Sequence, residues 1–496
     1  MIRNSFFVDR EWELEFLNKR YREVGLDCIV IYGRRRVGKT ALIAEFCRGK
    51  PHIYFLSDKR GSNHNAERFA KICAQYFGDF PPIVESFEDV FKYVKNRYEG
   101  ERFIIVVDEF SYLASKDPSI PSVFQLVLDE VLKGTRVFLI LCGSSISMME
   151  EEVLGARSPL YGRRTGQIKV QPMNIFQIAR FYPDRSGEDI IGFYGVLGGS
   201  PMYHTIVDRR RALLWNIREK LLSKGEILYE EAFFLLREEL RDPSTYMSIL
   251  EAMAQGAAKL TEIANTAGLN AKDLPAYMKP LLDLEFVRRE TPITEKKGSL
   301  YRIADNFFKF WFKYLYPNLS SLEIGETDKI LQEVKSDFDN YIAKFVFEEV
   351  AREYLMAENT RGTLPFRFTR IGRWWSKHEE VDLVALDEKD KKNARLRSRM
   401  ETKKNGYKGL RISYRKDRRH QVENLLRKIL LPHKQKRIPR KTRTRKKHNP
   451  NIPKGHRKTT NPPTENHQHK HKTIQHQLTT QKKQPKHVHM KTLALI

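Results

Sequence analysis

Three stretches of the chain are apolar almost without interruption: residues 28–32, 102–107 and 136–142. Each is too short for an ordinary helix and rich in β-branched residues, so each reads as a strand. Helical patterning over 11–21 and 39–47 brackets the first of them. Apolar strands separated by helical segments imply a parallel sheet covered on both faces. Ligands bind at the carboxyl ends of such strands. Those ends are polar here: residues 33–38, Asp108-Glu109, and Gly143-Ser144-Ser145.

The pattern then changes. Residues 167–235 read as mostly helical and contain Gly198-Gly199-Ser200-Pro201. Helical segments near 244–254, 260–266 and 272–284 are followed by strand-like pieces at 286–290 and 299–303. That is the order of a winged helix. An aromatic-rich stretch fills 305–316. Farther on, an amphipathic helix is expected over 338–354 and strands over 366–372 and 381–386. Periodicity fades after 388. Residues 431–492 are Lys, Arg, His, Gln, Thr, Asn and Pro with few apolar positions. Such a segment cannot offset its ordering entropy by burial and is expected to be disordered.

Charge follows this organisation. The net charge of 496 residues is +27. Residues 389–496 hold 34 Lys and Arg against 5 Asp and Glu, whereas 1–388 hold 55 against 57. The tail has two readings: a basic arm for nucleic acid phosphates, or out-of-frame translation beginning near 388–395. The composition therefore assigns no function to the body. Four scattered cysteines without a CxxC pair fit neither a disulfide framework nor a zinc site. Without a signal segment or a long apolar run, the chain is expected to be a soluble cytoplasmic protein with no membrane contact.

The chemistry concentrates at 33–40. Gly33-Arg34-Arg35-Arg36-Val37-Gly38-Lys39-Thr40 fits the phosphate-binding pattern G-x-x-x-x-G-K-[ST], between a strand and a helix as it requires, with Ala41 in the helix's first turn. Its backbone N–H groups and the helix N-terminus suit phosphate oxygens. Lys39 is expected to reach the β- and γ-phosphates of ATP, and Thr40 to ligate Mg²⁺. Asp108, ending a strand, can hold Mg²⁺ directly or through water, and Glu109 can orient or deprotonate the attacking water. Ser144 can sense the γ-phosphate, or simply turn the chain. Arg163 and Arg164 can stabilise charge on the transferring phosphoryl group, or form a surface basic pair.

Residues 7–11, 32–40, 106–109, 141–145, 158–164 and 198–201 together resemble archaeal ATPases of the AAA-related, signal-transduction (STAND) branch of P-loop NTPases. The resemblance implies an α/β P-loop core over 1–170, a helical lid over 171–238, a winged helix over 239–320, a partial nuclease-like α/β domain over 321–388, and a tail over 389–496. It implies that Phe7 to Arg10 lie near the adenine and that Pro201 contacts the nucleotide from the lid. In the nuclease-like unit it points to Glu348 or Glu349 and Asp382 as remnants of a metal site. The third member, a Glu-x-Lys strand, has only Glu401-Thr402-Lys403 to offer, in a polar run.

The function expected is a slow ATPase acting as a conformational switch. An ATP-regulated DNA-binding protein and a nuclease-associated or mobile-element ATPase are the alternatives. DNA contact would fall to Lys272, Lys279, Arg288, Arg289, Lys296 and Lys297. A protein partner and self-association are compatible with either class.

Overall fold

The computed structural model describes residues 7–240, 242–293, 298–364, 366–375, 380–387 and the backbone of 410–412. Five parallel strands make the core sheet: β1 (Asp27–Tyr32), β2 (His52–Leu56), β3 (Phe103–Asp108), β4 (Val137–Gly143) and β5 (Gly166–Lys169), in the order β2-β3-β4-β1-β5. Every residue of β1, β3 and β4 is buried, as their unbroken apolar runs require. Alternate side chains serve opposite layers. Val30, Ile105, Val107 and Leu139 join the core beneath helices Ser62–Phe77 and Phe87–Asn96. Ile29, Ile31, Val106 and Ile140 meet Leu42, Ile43 and Phe46 of helix Lys39–Cys47.

The edge strands β2 and β5 had not been anticipated. β2 is only alternately buried, and β5 has four residues, so neither shows a continuous apolar run.

Residues 171–240 are largely helical and include helices Gly187–Leu197, Pro201–Ile206 and Ile227–Glu239. Three helices, Pro243–Ala254, Leu260–Thr266 and Leu274–Asp283, then lead to an antiparallel ribbon of β6 (Val287–Glu290) and β7 (Leu300–Ile303). The aromatic stretch is helix Asn306–Phe310 continued by a π-helical turn, and it is buried rather than exposed: Phe307, Phe310 and Trp311 are each at most 1% accessible.

One core joins these helices to the C-terminal unit. Trp311 Nε1 donates to Tyr229 O at 2.8 Å, and Tyr341 Oη donates to Gly195 O at 2.7 Å. The helix expected over 338–354 is longer. It runs as Thr327–Tyr341, a π-turn Ile342–Val346, and Phe347–Arg361. Ile330, Val334 and Tyr341 carry the buried stripe back into a segment that looked polar.

β8 (Arg370–Trp375) starts later than expected, because Asn359 bonds both backbone groups of Phe368 and keeps it out of the ladder. β8 pairs antiparallel with β9 (Glu380–Leu386). A further strand, β10 (Leu410–Ile412), pairs antiparallel with β9. The segment read as a tail from 389 thus returns one strand to the sheet. The expected disorder of 431–492, the Glu401-Thr402-Lys403 motif, and Lys296 and Lys297 lie outside the described residues. No helix among the described residues is long and apolar enough to cross a membrane.

Candidate functional site

The loop between β1 and helix Lys39–Cys47 closes at the carboxyl end of β1, beside those of β3 and β4. Two glycines permit its path. Gly33 has φ 149°, and a Cβ there would lie 2.4 Å from Val170 O. Gly38, with φ 94°, leads into the helix. Pro201 packs over this turn, with its Cγ 3.6 Å from where a Gly38 Cβ would stand. Lys39 is buried, and its Nζ donates to Gly33 O (2.8 Å) and Arg34 O (3.1 Å). A buried cation thus stands inside the loop at a helix N-terminus, which is the electrostatic requirement for polyphosphate.

Arg10 braces this loop from outside. It is 4% accessible, and its Nη2 donates to Val37 O (2.9 Å) and Gln171 O (2.8 Å) while Nη1 pairs with Glu13 at 2.9 Å. Its contacts are therefore with the loop backbone and the chain after β5.

The metal-side groups converge. Thr40 Oγ1 donates to Asp108 Oδ2 at 3.2 Å. Tyr54 Oη donates to the same oxygen, and Ser57 donates Oγ (2.5 Å) and N (3.0 Å) to Asp108 O. Burial and the Asp108 charge push the Tyr54 hydroxyl pKa far up, so it stays a donor. A hydroxyl and a carboxylate side by side are hard oxygen donors suited to Mg²⁺, which takes few protein ligands and fills its shell with water and phosphate. Among the described residues no cluster of three or more His, Cys, Asp or Glu could hold a metal. A two-oxygen site completed by water and phosphate fits these residues.

Glu109 follows in the left-handed conformation, φ 54° and ψ 40°. Its carboxylate Oε2 accepts from Ser144 Oγ at 2.7 Å. Ser144, just past β4, thus holds the carboxylate of the residue just past β3. The backbone strain at Glu109 aims its side chain away from the strand direction and toward that serine.

The three arginines of the loop reach away from the cradle. Arg34 pairs with Asp305 in a buried contact, and its Nη2 lies 3.5 Å from Ser200 Oγ. Arg35 Nε bonds Glu239 (2.8 Å) and Glu238 (3.1 Å), and its Nη2 donates to Tyr112 Oη at 2.6 Å. Arg36 Nε bonds Glu231 at 2.8 Å, and Tyr203 Oη donates to the same carboxylate at 3.2 Å. Burial pushes the carboxyl pKa values of Glu231 and Glu239 up, against the pull of Arg36 and Arg35. Glu231, Glu239 and Asp305 carried no local signal in the sequence. They lie 195 to 271 residues from their arginines, and only the fold pairs them. Tyr54 was missed as well, because the strand that carries it, β2, shows no continuous apolar run.

Arg163 and Arg164 are not brought to this site. Arg163 bonds Asp129 (2.7 Å) and Pro159 O (2.9 Å); Arg164 donates to Leu154 O at 3.4 Å. The next residue, Thr165, bonds Asp27 and Cys28 at the amino end of β1. Six strand residues, about 20 Å, separate that end from the phosphate loop. Within one chain the pair therefore behaves as a structural basic pair, tied to the far edge of the sheet.

The carboxylates assigned to a vestigial nuclease site are likewise engaged. Glu349 bonds Lys309 (3.2 Å) and Tyr194 (3.2 Å). Asp382 and Glu348 both pair with Arg373, at 3.3 and 3.2 Å. An arginine stands between them where a metal site would need open oxygens. On the ribbon, Arg288 turns to Glu290 (2.7 Å) and Arg289 to Ser299 (2.8 Å), while Lys272 and Lys279 are exposed.

The chain is similar to several known proteins. Residues 7–205 match a family model described as an ATPase domain predominantly from Archaea. Residues 311–405 match a model of archaeal and bacterial proteins of unknown function, reaching past the 388–395 region. An uncharacterized protein of Methanocaldococcus jannaschii is 40% identical over 391 residues, covering 78% of this chain and 85% of that one. An uncharacterized ATP-binding protein of the same organism is 52% identical over 44 residues, 9% of this chain and 75% of that one. A Walker-type ATPase of Pyrococcus abyssi superposes with a TM-score of 0.46 at 20% identity, over 62% of this chain and 96% of that one. With the phosphate loop and the Asp108-Glu109 strand end, the family match over 7–205 and the 40% identical relative show that the chain belongs to the archaeal P-loop ATPase family.

Proposed function

We propose that the protein binds Mg-ATP and hydrolyses it slowly, and that the cycle moves a helical lid and winged helix against the core. The observation that carries this reading is the set of ion pairs from Arg34, Arg35 and Arg36 to Asp305, Glu239 and Glu231. The loop that would hold the phosphates is, by its own side chains, fastened to two elements outside the ATPase sheet. Any change in the loop's charge environment bears on both.

Each residue has a defined task. Backbone amides of 33–40 and Lys39 bind the β- and γ-phosphates. Thr40 and Asp108 hold Mg²⁺, which supplies neutralising charge to those oxygens when bound. Glu109, kept in place by Ser144, takes a proton from water as the water oxygen bonds to the γ-phosphorus and the bridging oxygen leaves with ADP. Pro201, over Gly38, fits a nucleotide contact from the lid side, and Arg10 stiffens the loop behind the adenine.

Lys39→Ala and Glu109→Gln test the assignment. The first is expected to abolish nucleotide binding in equilibrium titration. The second is expected to keep binding and lose turnover by about 100-fold or more, the range of general-base loss. Undiminished ATP binding in Lys39→Ala rejects the site. DNA contact by the winged helix is tested by duplex titration with and without ATP.

A further inference from the structure

The arginine expected at the transferring phosphoryl group is absent from its anticipated place, since Arg163 is bound to Asp129. Another cation stands much closer. Arg35, Arg34, Ser144, Ser200, Glu239 and Asp305 line one small cavity above the phosphate loop. Ser144 is the residue that holds the Glu109 carboxylate. Lys39 Nζ lies against the backbone of Gly33 and Arg34, immediately before Arg35. The cavity thus adjoins the side of the cradle where a γ-phosphate, and the water attacking it, would stand.

Charge in this corner is already crowded. Glu239, at 13% side-chain accessibility, and the more exposed Glu238 share the Arg35 guanidinium. Burial pushes the Glu239 carboxyl pKa up, and the charges of Glu238 and Glu109 add to that push. Arg35 opposes it with one nitrogen, Nε, and spends Nη2 on Tyr112. Tyr112 belongs to helix Phe110–Lys116, which begins directly after Glu109. Among the described residues Nη1 has no hydrogen-bond partner.

We propose that Arg35 is the residue by which this site distinguishes ATP from ADP: its guanidinium, here paired with Glu239, transfers to the γ-phosphate of bound ATP and releases Glu239. This rests on the nucleotide-binding reading above. A γ-phosphate brings further negative charge beside Glu239, Glu238 and Glu109. The carboxylate and the phosphate then compete for one guanidinium, and the planar fork of donors suits phosphate oxygens. ADP carries no such competitor and leaves the pair closed. Glu239 is the last residue of helix Ile227–Glu239, whose middle is held separately by Arg36 through Glu231. Release therefore frees the helix end that leads into Pro243–Ala254, while the rest of the helix stays fastened.

The experiment compares the full chain with Arg35→Gln, Glu239→Gln and Lys39→Ala. Dissociation constants are measured with Mg²⁺ for ADP and for a non-hydrolysable ATP analogue. Thermal unfolding confirms that each variant is folded. Arg35→Gln is expected to weaken the analogue about 10-fold or more, the scale of a charge-assisted hydrogen bond, and to leave ADP within about twofold. Glu239→Gln removes the competitor and is expected to tighten the analogue several-fold without changing ADP. A ratio of the two constants unaltered by Arg35→Gln, or equal weakening of both nucleotides by Glu239→Gln, overturns the assignment. If those results come with binding that Lys39→Ala abolishes, the cradle stands and only Arg35 loses its role. If the native chain binds neither nucleotide, both readings fall.

Discussion

Ser144 Oγ donates to Glu109 Oε2 at 2.7 Å, joining residues that stand just past two adjacent strands of the sheet. Glu109 is held in a left-handed conformation that a non-glycine residue adopts at a cost of about 1 kcal/mol or more. The serine is the only hydrogen-bond donor to its side chain among the described residues. Its bond converts a strained backbone into a defined carboxylate position.

Ser144→Ala is therefore expected to lower kcat about 10-fold, by letting the Glu109 carboxylate drift from the water it must orient. The dissociation constant for ATP should stay within about twofold, because no phosphate contact is removed. Single-turnover hydrolysis beside equilibrium binding separates the two. A loss of binding with unchanged turnover would instead make Ser144 a nucleotide contact.

Gly33→Ala tests the close approach behind the loop. The added methyl would meet Val170 O at 2.4 Å, where backbone must move rather than a side chain turn. A cost of about 2–4 kcal/mol is expected from overpacking plus strain. Gly78→Ala is the control. Gly78 has φ 68° with nothing within 4 Å of its Cβ position, so only the left-handed penalty of about 1 kcal/mol applies. Urea unfolding of both variants should keep that order.

The loop 33–40, β1, β3, β4 and the Asp108-Glu109 pair at the end of β3 were readable because each is a contiguous segment with its own period or motif. β2 and β5 were not. An edge strand of five residues buried on alternate positions, or of four, looks like a loop with apolar accidents. The partners of Arg34, Arg35 and Arg36 were illegible for another reason. An arginine in a phosphate-binding motif is read as a phosphate ligand. Nothing in the local sequence says that Asp305, Glu239 and Glu231 will be folded back to meet it. Arg163 shows the converse. The sequence allowed it a role at the transferring phosphoryl group or in a surface basic pair, and the connection to β5 carries it to the other end of the sheet.

His204 gives a pH signature to the helical subdomain. The ring is fully buried: Nε2 meets Gly198 O and Nδ1 meets Tyr182 Oη, both at 2.8 Å. The carbonyl requires the proton on Nε2, so the neutral tautomer satisfies both partners. Burial pushes the imidazole pKa down to about 4 from 6.5. Between those values the unfolded chain binds a proton that the folded chain refuses, so this group's stability is full above pH 6.5 and is lost as pH falls toward 4. The loss amounts to about 3 kcal/mol. Glu348 and Glu353, pushed up to about 7 by burial, act in the opposite direction over pH 4.5 to 7. The difference between the native chain and His204→Gln isolates the histidine. It should shrink by about 3 kcal/mol from pH 7 to pH 4, measured by urea unfolding at each pH. A pH-independent difference would mean that the ring reaches water.

Asp305 joins the phosphate loop to the aromatic helix. Its Oδ1 accepts from Phe308 N at 3.2 Å as the helix cap, and its Oδ2 pairs with Arg34. Both side chains are nearly inaccessible, at 9% and 4%. Removing one partner leaves a buried charge alone, and Asp305→Ala also removes the cap. A loss of about 3–5 kcal/mol is expected for the single change. Arg34→Met should cost a similar amount, because it strands the carboxylate. The double variant should cost clearly less than the two together, with a coupling of about 2–3 kcal/mol, since two apolar groups leave no unpaired charge. Urea unfolding of the four proteins closes the cycle. Strictly additive losses would show that the pair contributes packing rather than charge complementarity.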